Sequence, residues 1–112
     1  MTQILDNLFA KARQTGEANK NGRPSMYGGK GYLQEQWHVK DNGKAFELRH
    51  WGTTILSTEN GNITDVYGQS NSDRDALNQA FYYLGIPRHA HYYPSRGTLE
   101  VHDQLDNVIK SI

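Results

Sequence analysis

The chain has 112 residues, enough for one hydrophobic core and too few for a second of any size. Lys and Arg number 12 and so do Asp and Glu, so no net field recruits nucleic acid or an anionic membrane. Two Trp, three Phe and seven Tyr argue for a folded domain, while the absence of cysteine excludes disulfides and thiolate metal sites. No apolar run approaches the length of a membrane span and no secretory leader is expected, so the expected location is the cytoplasm.

In chain order, Ile4, Leu5, Leu8, Phe9 and Ala12 recur at helical spacing and predict a short amphipathic helix over residues 1–15. Residues 16–34 follow as a linker or extended loop, with five glycines between Gly16 and Gly31 and few aliphatic side chains. Through residue 34 the chain carries Lys11, Arg13, Lys20, Arg23 and Lys30 against Asp6 and Glu17, a basic arm on a mildly acidic body.

Residues 35–112 are expected to form a single α+β domain. Trp37 and Val39 alternate with polar residues before Asp41-Asn42-Gly43, and Phe46 and Leu48 alternate after it, which predicts a hairpin. Gly52 marks a turn or bulge, Thr53–Thr58 is rich in β-branched residues, Asn60-Gly61 makes a second hairpin turn, and Ile63–Tyr67 returns. Four strands in an antiparallel meander result. Ser72 with Asp75 resembles a capping box, and Leu77, Ala80, Phe81 and Leu84 form one apolar stripe of a helix that ends at Gly85 and Pro87. Two short strands, His89–Tyr93 and Thr98–His102, flank a turn at Pro94–Gly97. Leu105, Val108, Ile109 and Ile112 suggest a terminal helix. The two terminal helices have three available partners: each other, the sheet, or a second copy in a homodimer. The predicted core comprises Trp37, Val39, Phe46, Leu48, Ile55, Ile63, Val66, Leu77, Phe81 and Leu84.

Residues able to carry chemistry are few. His89 and His91 lie two apart and share a strand face, with His102 and Asp103 as the nearest further donors. A zinc site needs three or four ligands, so strand-face histidines beside Tyr92 and Tyr93 are the plainer reading, and no metal or other cofactor is assigned. No serine sits in a G-x-S-x-G elbow. The pairs Asp73/Asp75 and Asp103/Asp106 read as helix first-turn acids rather than as a general acid and base. Gly28-Gly29-Lys30-Gly31 is not followed by a helix pattern and makes a weak phosphate cradle. Arg88 to Arg96 places two Arg, two His and two Tyr in nine residues, either an interface or an ordinary polar hairpin. In the basic arm, Tyr27 and Tyr32 are placed to stack on bases while Lys20, Arg23 and Lys30 meet phosphates, or the arm is a plain tether.

The residues Trp51-Gly52-Thr53-Thr54-Ile55-Leu56, then Asn60-Gly61, Tyr67-Gly68 and Ser72-Asp73 leading to Leu84-Gly85-Ile86, resemble a pattern of small, mostly uncharacterised bacteriophage and prophage proteins. The resemblance covers roughly residues 46–87. It implies an accessory protein of the infected bacterial cytoplasm that binds and blocks a host protein or ribonucleoprotein, such as a CRISPR effector or another defence component.

The sequence thus leads to a non-enzymatic binding protein that inhibits or modulates a host complex, with no membrane partner. Its expected contact residues are Lys20, Arg23, Tyr27, Lys30, Arg88, His91, Tyr92 and Arg96. The alternatives are nucleic-acid binding through the arm and a small metal-dependent hydrolase around His89 and His91.

Overall fold

The computed structural model describes residues 3–21, 35–103 and 108–111. It is an α+β structure. Helix α1 (Gln3–Thr15) leads into a five-stranded antiparallel sheet of β1 (Glu17–Asn21), β2 (Glu35–Asp41), β3 (Ala45–His50), β4 (Thr53–Glu59) and β5 (Asn62–Val66), ordered as in the chain. Helix α2 (Asn71–Leu84) follows. A second antiparallel sheet is formed by β6 (His89–Tyr93), β7 (Thr98–His102) and β8 (Val108–Ser111).

The meander is set by strand alternation and turn chemistry. Val39, Leu48, Leu56 and Val66 sit opposite one another along four strands and are all buried, whereas Lys40, Glu47, Ser57 and Asp65 line the other face. A register shift after Leu48 makes Ile55 the extra residue of a β-bulge, and both Ile55 and Leu56 are buried. Asn60-Gly61 joins β4 to β5 with both residues at positive φ (53° and 81°), the conformation of a type I′ hairpin turn. Trp51-Gly52 does the same between β3 and β4, with φ of 51° and 81°. An indole-bearing residue is a costly choice for that position.

Both helices cover the buried face. Leu5, Leu8, Phe9 and Ala12 of α1 enter the same core as Ala76, Leu77, Ala80 and Phe81 of α2. Phe9 meets Phe46 edge-on at 5.6 Å and Tyr83 at 5.1 Å. Between the helices, the buried Gln79 side chain donates to Asp6 at 2.8 Å, and the Tyr83 hydroxyl donates to the Phe9 carbonyl at 3.4 Å. Of the predicted core, Ile63 and Leu84 are only partly buried and pack against it; the other eight are buried.

The structure corrects three local expectations. Glu17–Asn21, read as linker, forms β1 and pairs with β2, burying Ala18. Residues 108–111, read as part of a terminal helix, form β8 against β7; Leu105 and Ile112 lie outside the described residues. The N-cap of α2 is Ser70 rather than Ser72: the Asp73 amide donates to Ser70 Oγ at 3.0 Å. The Ser-x-x-Asp spacing is kept but begins two residues earlier, because Asp73 also accepts from the Gln69 amide at 3.0 Å. At the other end Gly85 at φ 69° closes a Schellman motif, its amide donating to Tyr82 O and the Ile86 amide to Phe81 O.

The second sheet is held against α2 by buried Ala90, Leu99 and Val101. The chain before α2 approaches β7 closely: a Cβ on Gly68 would lie 2.7 Å from Leu99 Cδ1 and 3.1 Å from Asp73 Cβ. Among the described residues no helix is long and apolar enough to cross a membrane.

Candidate metal centre

The site follows from the register of the β6–β7 hairpin. His89 is paired with His102, Ala90 with Val101, His91 with Glu100, Tyr92 with Leu99 and Tyr93 with Thr98. Ala90, Leu99 and Val101 turn into the core with Tyr92 packed against it, so alternation brings His89, His91, Glu100 and His102 onto the opposite face. Ring centroids are 4.8 Å apart for His89 and His91, 5.3 Å for His89 and His102, and 4.6 Å for His91 and His102. One nitrogen from each of the three lies within 4.8 Å of the others. Nitrogens bound to one tetrahedral ion at about 2.0–2.1 Å lie about 3.4 Å apart, so modest side-chain rotations convert this cluster into a three-histidine ligand set.

The three rings differ in setting. His91 is exposed, His89 half-buried and His102 only 9% exposed. His102 Nε2 lies 3.1 Å from Glu100 Oε1, while its Nδ1 is enclosed and has no hydrogen-bond partner among the described residues. Neutral imidazole suits zinc, copper, nickel and iron, whereas magnesium and calcium prefer oxygen donors.

The backbone of this face is fixed from behind. Asn78 of α2 accepts from the Ala90 amide at 2.7 Å and donates to the Ala90 carbonyl at 3.1 Å, holding the residue between His89 and His91.

The remaining expected contact residues that the structure describes lie on different elements. Tyr92 packs toward the core, on the side opposite His91. Arg88 sits in the loop before β6, its guanidinium donating to the Pro87 carbonyl at 2.8 Å. Arg96 is exposed in the hairpin turn, 4.3 Å above the Tyr93 ring. Lys20 is exposed on β1 of the other sheet, while Arg23, Tyr27 and Lys30 lie outside the described residues.

The other two histidines serve different contacts. His38 stands on the outer face of β2 with Nδ1 2.9 Å from Glu35 and Nε2 against Glu17, tying β1 to β2. The Asn19 amide hydrogen bond leads the influences that hold the Glu35 carboxyl below its usual range; burial opposes it and His38 assists it. His50 stacks on Trp37 at 3.9 Å and donates from Nδ1 to Asp73 Oδ1 at 2.6 Å, a lock between the large sheet and the start of α2 that single-residue reading of the sequence missed. Burial pushes the Asp73 carboxyl up, but the hydrogen bonds from His50 and the Gln69 amide outweigh it and keep the group below its ordinary value. A cavity of about 430 Å³ beside this pair is lined by Trp51, Tyr67, Ser70 and Ser72 among others.

No family model, curated protein or solved structure matches this chain.

Proposed function

We propose that this protein binds a divalent transition-metal ion through His89, His91 and His102. The observation that carries the reading is the convergence of three imidazole nitrogens within 4.8 Å on a packed hairpin. Three neutral nitrogen donors favour zinc or its neighbours over magnesium or calcium. Exposure of His91 leaves the ion reachable from solvent. The test is a titration of the untagged chain with zinc chloride against a chromophoric chelator, with elemental analysis of the protein as purified. One-to-one binding that is lost in His89→Ala and His102→Ala supports the reading; no binding in the wild type overturns it.

Binding to a host macromolecule, as the phage resemblance implies, is the second reading. It is favoured by the exposed Arg96 guanidinium over Tyr93 at the tip of the same hairpin, since Arg and Tyr are common interface anchors. Arg96→Ala should then weaken capture of the partner without changing the fold, and equal capture by both proteins would remove Arg96 from the contact.

A further inference from the structure

We infer that Glu100 is a positioning residue of the metal centre: it holds His102 in the form protonated at Nε2 and so presents the buried Nδ1 as the metal-binding lone pair. The inference rests on the metal-binding reading above.

Glu100 and His102 lie two apart on β7, so both stand on the face occupied by His89 and His91, and Glu100 is directly across from His91. Its Oε1 is 3.1 Å from His102 Nε2. A carboxylate can only accept, so this contact is a hydrogen bond when the imidazole proton resides on Nε2. A neutral imidazole carries one such proton, which leaves Nδ1 as an acceptor. That atom is enclosed and has no hydrogen-bond partner among the described residues. Buried polar atoms are almost always satisfied, and the His102 ring stands 5.3 and 4.6 Å from the His89 and His91 rings, so its enclosed lone pair is where a cation would complete the arrangement.

Charge points the same way. Three neutral imidazoles bring no negative charge to a divalent ion, and Glu100 supplies it through His102. A carboxylate that accepts the outer N–H of a ligating histidine fixes its tautomer and ring orientation and makes the ligating nitrogen a better donor. Strand geometry also explains why the carboxylate belongs to β7: position 100 is the nearest on the same face to position 102 toward the turn, and β7 is the central strand of its sheet.

The experiment has two arms. In the metal-free wild type, long-range nitrogen–proton correlation spectra of the histidine rings should show His102 protonated at Nε2, and zinc should then perturb its Nδ1 resonance. In the second arm, zinc affinity is measured by chelator competition for wild type, Glu100→Ala and Glu100→Gln, with backbone spectra reporting the fold. Glu100→Ala should weaken zinc binding by about 10- to 100-fold. Glu100→Gln, whose side-chain oxygen still accepts from Nε2–H, should restore most of that loss. A wild-type His102 protonated at Nδ1, an unchanged affinity in Glu100→Ala, or a Gln variant as weak as the Ala variant would each overturn the inference while leaving metal binding by the wild type intact. Absence of zinc binding in the wild type would instead remove the metal-binding reading and the inference with it.

Discussion

Asn78 treats Ala90 as a strand neighbour would, exchanging both an acceptor and a donor with its backbone at 2.7 and 3.1 Å. Ala90 is buried and lies between the two histidines of β6. Asn78→Ala would leave a buried amide and carbonyl unsatisfied, and we expect a loss of about 1–3 kcal/mol in urea unfolding. Zinc affinity should fall in the same variant, because the spacing of His89 and His91 is no longer fixed. Asn78→Asp keeps the acceptor for the Ala90 amide but sets a carboxylate oxygen against the Ala90 carbonyl, so it should not recover the stability lost in Asn78→Ala.

Metal binding should stabilise the fold by an amount that grows with the logarithm of free zinc above the dissociation constant. At free zinc about 100 times the dissociation constant, mass action predicts a gain of about 2.7 kcal/mol. Thermal unfolding with and without zinc measures it, and the increment should vanish in His102→Ala.

Asp73 links stability to pH. Its carboxyl titrates below the ordinary value of 3.8 in the folded chain, so its contribution is complete well above that value and is lost as the pH falls through the acid range toward the folded pKa. Asp73→Asn should therefore flatten the acid limb of the stability–pH curve. It should also cost about 1.5–3 kcal/mol at neutral pH, where the charged partner of His50 is gone.

Gly68→Ala should be destabilising although the backbone there is unstrained. The added Cβ would meet Cδ1 of the fully buried Leu99 at 2.7 Å. Overpacking of this kind costs about 1–3 kcal/mol, which a shift in the urea midpoint at unchanged slope would register.

Trp51 occupies a left-handed turn position with its side chain about half exposed (47%). Trp51→Asn keeps the two-residue turn and suits positive φ, so we expect a gain of about 0.5–1 kcal/mol by chemical denaturation. A loss would mean that the indole's packing beside His50 outweighs the turn strain.

Much of this architecture was legible because its causes are local. Alternation from Trp37 to Val66, the Asn60-Gly61 turn and the stripe from Leu77 to Leu84 each depend on neighbours in sequence. Strand β1 was not legible because only Ala18 in Glu17–Asn21 is both apolar and buried; the segment is extended by its pairing with β2 and by the Glu17–His38 contact. The C-terminal misreading came from a short apolar run, Val108-Ile109, that fits either period. For the site, the His89/His91 spacing was visible, but His102 joins it only once the turn is fixed at Pro94–Gly97 and the register follows. The His50–Asp73 pair spans 23 residues and belongs to two elements, so no local pattern announces it.

The contacts of α1 with α2 bear on how the chain is made. Gln79 reaches Asp6 and Tyr83 reaches Phe9, partners separated by 73 and 74 residues. At ribosomal rates of about 5–20 residues per second, the first helix waits on the order of 4–15 s before its counterpart has been synthesised. Through that interval Leu5, Leu8 and Phe9 can meet the sheet, Phe46 included, but not the α2 side chains that complete their surroundings. Helix α1 therefore gains its native surroundings in two stages, first against the strands that follow it and later against α2.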